Sequence, residues 1–297
     1  MALETNHFAA RSIGVVGAGT MGVGIATTVV LAGHQTILVD STEARATYGG
    51  DQVRAFLDRS VALGKLGLLE RQRAETLLVA TADLVMLAES DIVIEAVYED
   101  LDVKRALFAE LAKVCRDTVI LHTNTSTLSV SAIAEGAAVP SQVAGTHYCN
   151  PAPLMKLVEV APARQTAATV VDATLEFILG LGKQPLIVKD QPGFLVNRFL
   201  VPFENECIRA LDNGLATVDE IDTAVTLGLG HPIGPFRLLD TVGLDVHAAV
   251  SSSLYSRLHD SRFAAPSLVG RMVEAGELGR KSGRGFYSYE HSGVFGT

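Results

Sequence analysis

Residues 12–22 read Ser12-Ile13-Gly14-Val15-Val16-Gly17-Ala18-Gly19-Thr20-Met21-Gly22, an apolar run that stops at spaced glycines. Val23-Gly24-Ile25-Ala26 carries it on as a small-residue helical pattern toward Gly33. This order predicts a strand, a tight turn and a helix. Glycines mark turns everywhere, so the Gly17, Gly19, Gly22 spacing takes its meaning from its flanks. A second apolar run, 36–39, ends in Asp40, 18 residues beyond Gly22. Strand, glycine turn, helix and a strand closed by an acid make up the dinucleotide fingerprint. In it Gly17 permits the turn, Gly19 lets the backbone approach a pyrophosphate, and Gly22 lets helix and strand pack closely. Thr20 and Met21 open the helix, whose first N–H groups face the phosphates. The Asp40 carboxylate accepts from ribose hydroxyls and repels a 2′-phosphate, which favours NAD over NADP. The plainer alternative is an ordinary α/β turn with Asp40 as a cap.

Working outward, residues 43–75 are charged, with Val53, Phe56, Leu57 and Val61 at helical spacing and interruptions at Gly64 and Gly67. They predict a helical hairpin inserted before the sheet resumes at 91–97. A helix carrying Leu101, Leu107, Leu111 and Val114 follows, then strands at 119–121, 143–148, 156–160 and 186–188. Strands alternating with helices predict an α/β, Rossmann-type doubly wound sheet over residues 1–190. Beyond Asp190-Gln191-Pro192-Gly193 helix signals dominate, with strand character only at the very end. Thr217 with Glu220 is a capping-box pattern for a helix through Val225, and another helix starts near Phe236. Residues 191–297 therefore read as an all-helical C-terminal domain.

The chain has 297 residues, 48% hydrophobic and 19% charged, enough to bury two cores without staples. Charge balance is 24 basic against 33 acidic, net −9, which disfavours nucleic acid as a partner. No apolar run is long enough for a membrane span, and the MALETNHFAARS start shows no secretory pattern, so a cytoplasmic protein is expected. Cys115, Cys149 and Cys207 are odd in number and lack CxxC spacing, which argues against disulfides and a metal site.

His147 lies in a segment joining two predicted strands around Pro153. If these pair as an antiparallel hairpin centred there, His147 faces Glu159, each six positions from the centre. A histidine held by a carboxylate has a fixed tautomer and a stabilised imidazolium, as proton abstraction requires. Standing alone, His147 reads equally as a satisfied packing residue. Ser126 follows a strand's carboxyl end, where open α/β sheets place ligands. Asn197 sits on the first helix after the change of character. Their plain readings are a helix cap and a surface amide.

The stretches VGAGTMG, NTSTLS, HYCNPAPLMKLVEV, DQPGFLVNR, HPIGPFRLLDTVGLD and LGRKSGRGFY run in order from about Ile13 to Tyr289. Together they resemble the L-3-hydroxyacyl-CoA dehydrogenase family, including the 3-hydroxybutyryl-CoA dehydrogenases. The resemblance implies that His147 is the catalytic histidine, Glu159 its carboxylate partner, and Ser126 and Asn197 the polar residues near the reacting oxygen. It implies NAD contacts for Asp40, Glu99, Lys104, Ser126 and Asn150, an acyl-CoA thioester substrate with Lys65 on the hairpin as a CoA contact, and a homodimer. Two departures stand out. Tyr148-Cys149 replaces a usual Phe-Phe, adding a hydroxyl and a thiol near the substrate, although a packed thiol is the plainer reading of Cys149. Phe56 occupies a position where some members place a serine toward CoA. Residues 51–75 carry five basic side chains against four acidic, a slight surplus for a CoA site. A dehydrogenase of a free or carrier-protein-bound hydroxy acid is therefore the alternative, and a non-catalytic NAD-binding structural protein a more distant one.

Overall fold

A computed structural model of the chain describes residues 11–289. Two compact units are present, one ending at Gln191 and the next beginning at Pro192.

The first unit is built on one eight-stranded sheet of order β3-β2-β1-β4-β5-β6-β7-β8. Its strands are β1 (Ser12–Val16), β2 (Gln35–Val39), β3 (Leu78–Thr81), β4 (Ile92–Glu95), β5 (Ile120–Thr123), β6 (Val143–Tyr148), β7 (Leu157–Pro162) and β8 (Gln184–Ile187). Helices α1 (Thr20–Leu31), α2 (Glu43–Ala62), α3 (Leu68–Thr76), α4 (Leu101–Val114), α5 (Val130–Ala134) and α6 (Ala168–Gly180) connect them. All pairings are parallel except β6 with β7. The inner strands are near-continuous apolar runs because helices cover both faces, so both side-chain sets are buried. Ile13, Val15, Ile92 and Ile94 have no exposed surface. The strand order reverses between β1 and β4, so a crevice opens there at the carboxyl ends of the strands, where such sheets receive ligands.

The helical insertion is α2 and α3, turned at Gly64, whose φ of +67 suits glycine. Sequence reading missed β3. Its four residues, Leu78–Thr81, directly follow a helix, and alternation over so few positions gives no periodic signal. It becomes a strand by pairing with β2, Thr36 opposite Leu78.

The second unit contains α7 (Val196–Asp212), α8 (Val218–Thr223), α9 (Pro235–Val242), α10 (Leu244–Leu258) and α11 (Ser267–Glu274). Ile208, Phe236, Leu239, Leu244 and Val269 form its main core. The Thr217–Glu220 capping box forms as the spacing predicts. The α-helix it opens stops at Thr223 and passes into a π-helical turn, Ala224–Gly228, rather than running through Val225. Asp222 then accepts the Phe236 N–H at 2.9 Å, tying this turn to the start of α9. The strand character at the end resolves into isolated bridges, Gly279 with Arg284 and Arg284 with Ser288. No helix among the described residues is long and apolar enough to cross a membrane.

Candidate active site

The loops at the carboxyl ends of β1, β2, β4, β5 and β6 carry most of the residues singled out above. After β1, Gly17 turns with φ +104, and a Cβ there would lie 2.6 Å from the Ala96 carbonyl oxygen. A Cβ on Gly22 would meet the Gly17 carbonyl oxygen at 1.6 Å, so this turn is closed to any larger residue. A Cβ on Gly19 meets nothing within 4 Å. The strand end is therefore open at the place where a pyrophosphate approaches, and α1 begins there with no side-chain cap on its first N–H groups. Thr20 is exposed and Met21 half-buried beside it.

Asp40, at the end of β2, is buried and accepts the Ala18 N–H at 2.7 Å. Its other oxygen accepts from Ser41 N–H and hydroxyl and pairs with Arg45 at 2.7 Å. Burial alone raises its pKa, but the Ala18 and Ser41 hydrogen bonds and the Arg45 charge outweigh that and hold the carboxyl below its usual range. An ionised acid locked onto the glycine turn is what a ribose diol needs. The open glycine, the uncapped helix start and this carboxylate together fit a dinucleotide.

The β6–β7 pairing sets His147 opposite Glu159, the register obtained by counting from Pro153. His147 Nδ1 lies 2.7 Å from Glu159 Oε2, and Nε2 lies 3.1 Å from Ser126 Oγ. Glu159 has no exposed surface. An ionised carboxylate only accepts hydrogen bonds, so Nδ1 carries the proton and Nε2 presents a lone pair toward Ser126. Three of the four catalytic candidates are thus brought together. Asn197 lies in the first turn of α7, half-buried, in the second unit.

Glu99 and Lys104 belong to a network that extends beyond their expected cofactor contacts. Glu99 accepts the N–H groups of Ser126 and Thr127 at 2.8 and 2.9 Å and the Thr125 hydroxyl at 2.6 Å. Burial would raise its pKa, yet the Lys104 charge and these donors win and lower it. The Lys104 side chain has no exposed surface, and its ammonium sits 2.6 Å from Glu95 and 3.5 Å from Glu99. The implied direct NAD contact does not suit a lysine so enclosed. Sequence reading passed over Glu95. The signal was there: an acid closing the apolar run 92–94 requires a partner once that run becomes a buried strand.

Asn150 is exposed just after β6. Lys65 is exposed at the turn of the α2–α3 hairpin. On that hairpin Arg54 pairs with Asp51, and Arg71 with Asp58 and Glu75. Tyr148 departs from the expected place near the substrate. It packs into the sheet's core cluster because successive strand residues face opposite ways, so a neighbour of His147 turns inward. Its hydroxyl is buried without a hydrogen-bond partner. The Cys149 thiol is pushed up to about 11 by burial and by the Glu159 charge, so it stays protonated at neutral pH.

The chain's first unit matches the sequence model of a 3-hydroxyacyl-CoA dehydrogenase NAD binding domain over residues 12–191, and residues 193–289 match the C-terminal domain of the same family. A 3-hydroxybutyryl-CoA dehydrogenase of Mycobacterium tuberculosis is 42% identical over 283 residues, which cover 95% of this chain and 99% of that one. A 3-hydroxyadipyl-CoA dehydrogenase of Escherichia coli is 43% identical over 94% of this chain, and the match spans 59% of that longer protein. The crystal structure of M. tuberculosis FadB2 superposes with a TM-score of 0.92 at 41% identity, covering 95% of this chain and 100% of that one. With matches to both domains of one family lying over a dinucleotide turn and a carboxylate-held histidine, the chain belongs to the 3-hydroxyacyl-CoA dehydrogenase family.

Proposed function

We propose that this chain catalyses reversible NAD-dependent oxidation at C3 of short-chain L-3-hydroxyacyl-CoA thioesters, as a cytoplasmic homodimer. The observation that carries the reading is the His147 ring, held by Glu159 at Nδ1 and facing the Ser126 hydroxyl at Nε2. Gly17, Gly19, Thr20, Met21, Gly22 and Asp40 hold the dinucleotide, with Asn150, Ser126 and the exposed part of Glu99 completing the contacts. When bound, NAD supplies the hydride acceptor at its nicotinamide ring. In oxidation Nε2 of His147 takes the C3 hydroxyl proton, and Glu159 orients the ring and stabilises the resulting imidazolium. Ser126 donates to the substrate oxygen as negative charge develops on it, the role that the resemblance implies for Asn197 as well. In reduction His147 returns the proton. Lys65 contacts the CoA phosphates.

A free or carrier-bound hydroxy acid is the second reading, favoured by the pairing of Arg54 and Arg71 with hairpin acids rather than an open basic face. The test is NADH consumption with acetoacetyl-CoA, run beside free acetoacetate and with NADPH as control. Turnover of the thioester with NADH alone is expected. Equal or faster turnover of free acetoacetate transfers the assignment to the second reading.

A further inference from the structure

Ser126 is presented to His147 by a five-residue loop, 124–128, that follows β5. What keeps this loop in place is a chain of charges reaching into the sheet. Lys104, on the first turns of α4, places its ammonium 2.6 Å from Glu95 and 3.5 Å from Glu99. Glu95 closes β4, and its second oxygen accepts the Thr123 hydroxyl at 2.6 Å at the end of β5. Glu99 reaches from the other side to gather the Ser126 and Thr127 amides. The Thr125 hydroxyl donates to Glu99 and accepts the Leu128 N–H, closing the loop on itself. Neither Lys104 nor Glu95 has any exposed surface, so neither is open to a bound molecule.

We propose that Glu95, Lys104 and Glu99 form a buried clamp that fixes the Ser126 loop against His147, Glu95 and Lys104 acting as positioning residues. The physical logic is charge balance. Two carboxylates flank one ammonium, so Glu99 keeps its negative charge while collecting two backbone N–H groups, and charge-assisted bonds of this kind are the strong ones. Removing the charge on Glu99 leaves the amides of Ser126 and Thr127 weakly held, and the Ser126 hydroxyl loses its fixed direction toward Nε2.

The proposal rests on the reading that Ser126 and His147 act together on the substrate, and a double-mutant cycle tests it. Glu99 is partly exposed, so Glu99→Gln is the variant least disposed to unfold. It is expected to lower kcat for acetoacetyl-CoA by about tenfold or more, the scale of a misplaced catalytic group. These rates are taken at saturating NADH, because the exposed part of Glu99 is itself a proposed cofactor contact. In a Ser126→Ala background the same change is expected to alter kcat by less than about twofold, because the group it positions is gone. Multiplying effects of the two substitutions overturn the clamp. Lys104→Met with Glu95→Gln supplies a second check. It is expected to restore the thermal stability lost in Lys104→Met alone while leaving kcat low, and recovery of kcat together with stability overturns the proposal. If the unaltered protein does not turn over acetoacetyl-CoA, the functional reading fails first. The clamp is then judged by amide hydrogen exchange at Ser126 and Thr127 in cofactor-free protein, which Glu99→Gln and Lys104→Met are each expected to speed by about tenfold or more. Unchanged exchange overturns it.

Discussion

Among the described residues there are two histidine–carboxylate pairs, one in each unit, and only one of them is built for chemistry. In the sheet unit His147 meets Glu159 at 2.7 Å, and in the helical unit His247 meets Glu204 at 3.1 Å. Burial does not separate them, since His147 is 7% exposed and His247 4%. The difference lies at the second ring nitrogen. Nε2 of His147 faces the Ser126 hydroxyl, which donates or accepts and can rotate aside. Nε2 of His247 lies 2.9 Å from Asn205 Oδ1, and the Asn205 amide donates to the Arg262 carbonyl at 3.0 Å, so its orientation is fixed. The Asn205 amide oxygen is a held acceptor, so the second nitrogen of His247 is already engaged within the core and faces no group that can move aside. Ser251 closes the remaining side at 3.4 Å. A carboxylate beside a histidine therefore describes a tautomer, and the function follows from what the other nitrogen can reach.

Substitutions at the two histidines put the largest strain on this comparison. His147→Gln is expected to reduce turnover by about 100-fold or more, the scale of losing a general base, with NADH binding retained. Stopped-flow and steady-state rates beside NADH fluorescence titration would read it, and near-normal turnover would break the assignment. His247→Leu is expected to do the reverse. It leaves Glu204 and Asn205 buried without their partner, which costs about 3–5 kcal/mol of stability by the usual penalty for breaking a buried pair. Turnover per folded molecule is expected to stay within about twofold. Urea unfolding curves with activity assays below the transition measure both, and an equal loss of turnover at both histidines would erase the distinction.

Smaller changes sharpen it. Glu159→Gln keeps the shape of the His147 pair but removes its charge, so turnover is expected to fall by about tenfold or more, and KM for NADH to change little. Tyr148→Phe removes a buried hydroxyl that has no partner, and a gain of about 1 kcal/mol is expected in urea unfolding. A loss would mean that the hydroxyl has found a water. The pH dependence of Glu99 supplies the smallest effect. Its folded pKa lies below the ordinary value of 4.5, so its contribution is complete above that value and is lost as pH falls through the lower folded value. With a third of the side chain exposed, no more than about 1 kcal/mol is at stake. The stability gap between the unaltered protein and Glu99→Gln should therefore close as pH falls below the ordinary value of 4.5, and a gap that widens toward acid would reverse the sign.

Much of the His147 site was legible because its logic is local. Counting from Pro153 gives the His147–Glu159 register without coordinates, since a hairpin's pairing follows from its turn and side chains alternate strictly. The Gly17 turn and Asp40 were legible for a similar reason, a short stretch of chain meeting one ligand. Strand β3 was not, because four residues gain strand character only from β2 alongside them. The clamp was not either, since Lys104 and Glu95 look like a surface lysine and a strand-end acid until packing removes both from water.

The amino-acid sequence by itself determined the sheet-then-helix order, the dinucleotide turn, the facing of His147 and Glu159, and the family. These depend on periodicity, on glycine's freedom at the β1 turn and on pairing within a single hairpin, all of which act over a few residues. Tertiary structure alone decided that Ser126 reaches His147, that Tyr148 turns into the core, that Lys104 is buried between two carboxylates, and that His247 is sealed. Each of those outcomes depends on which distant segments meet and on what water they exclude, and exclusion of water is what turns a charged or polar side chain from a solvated group into one that must find a partner.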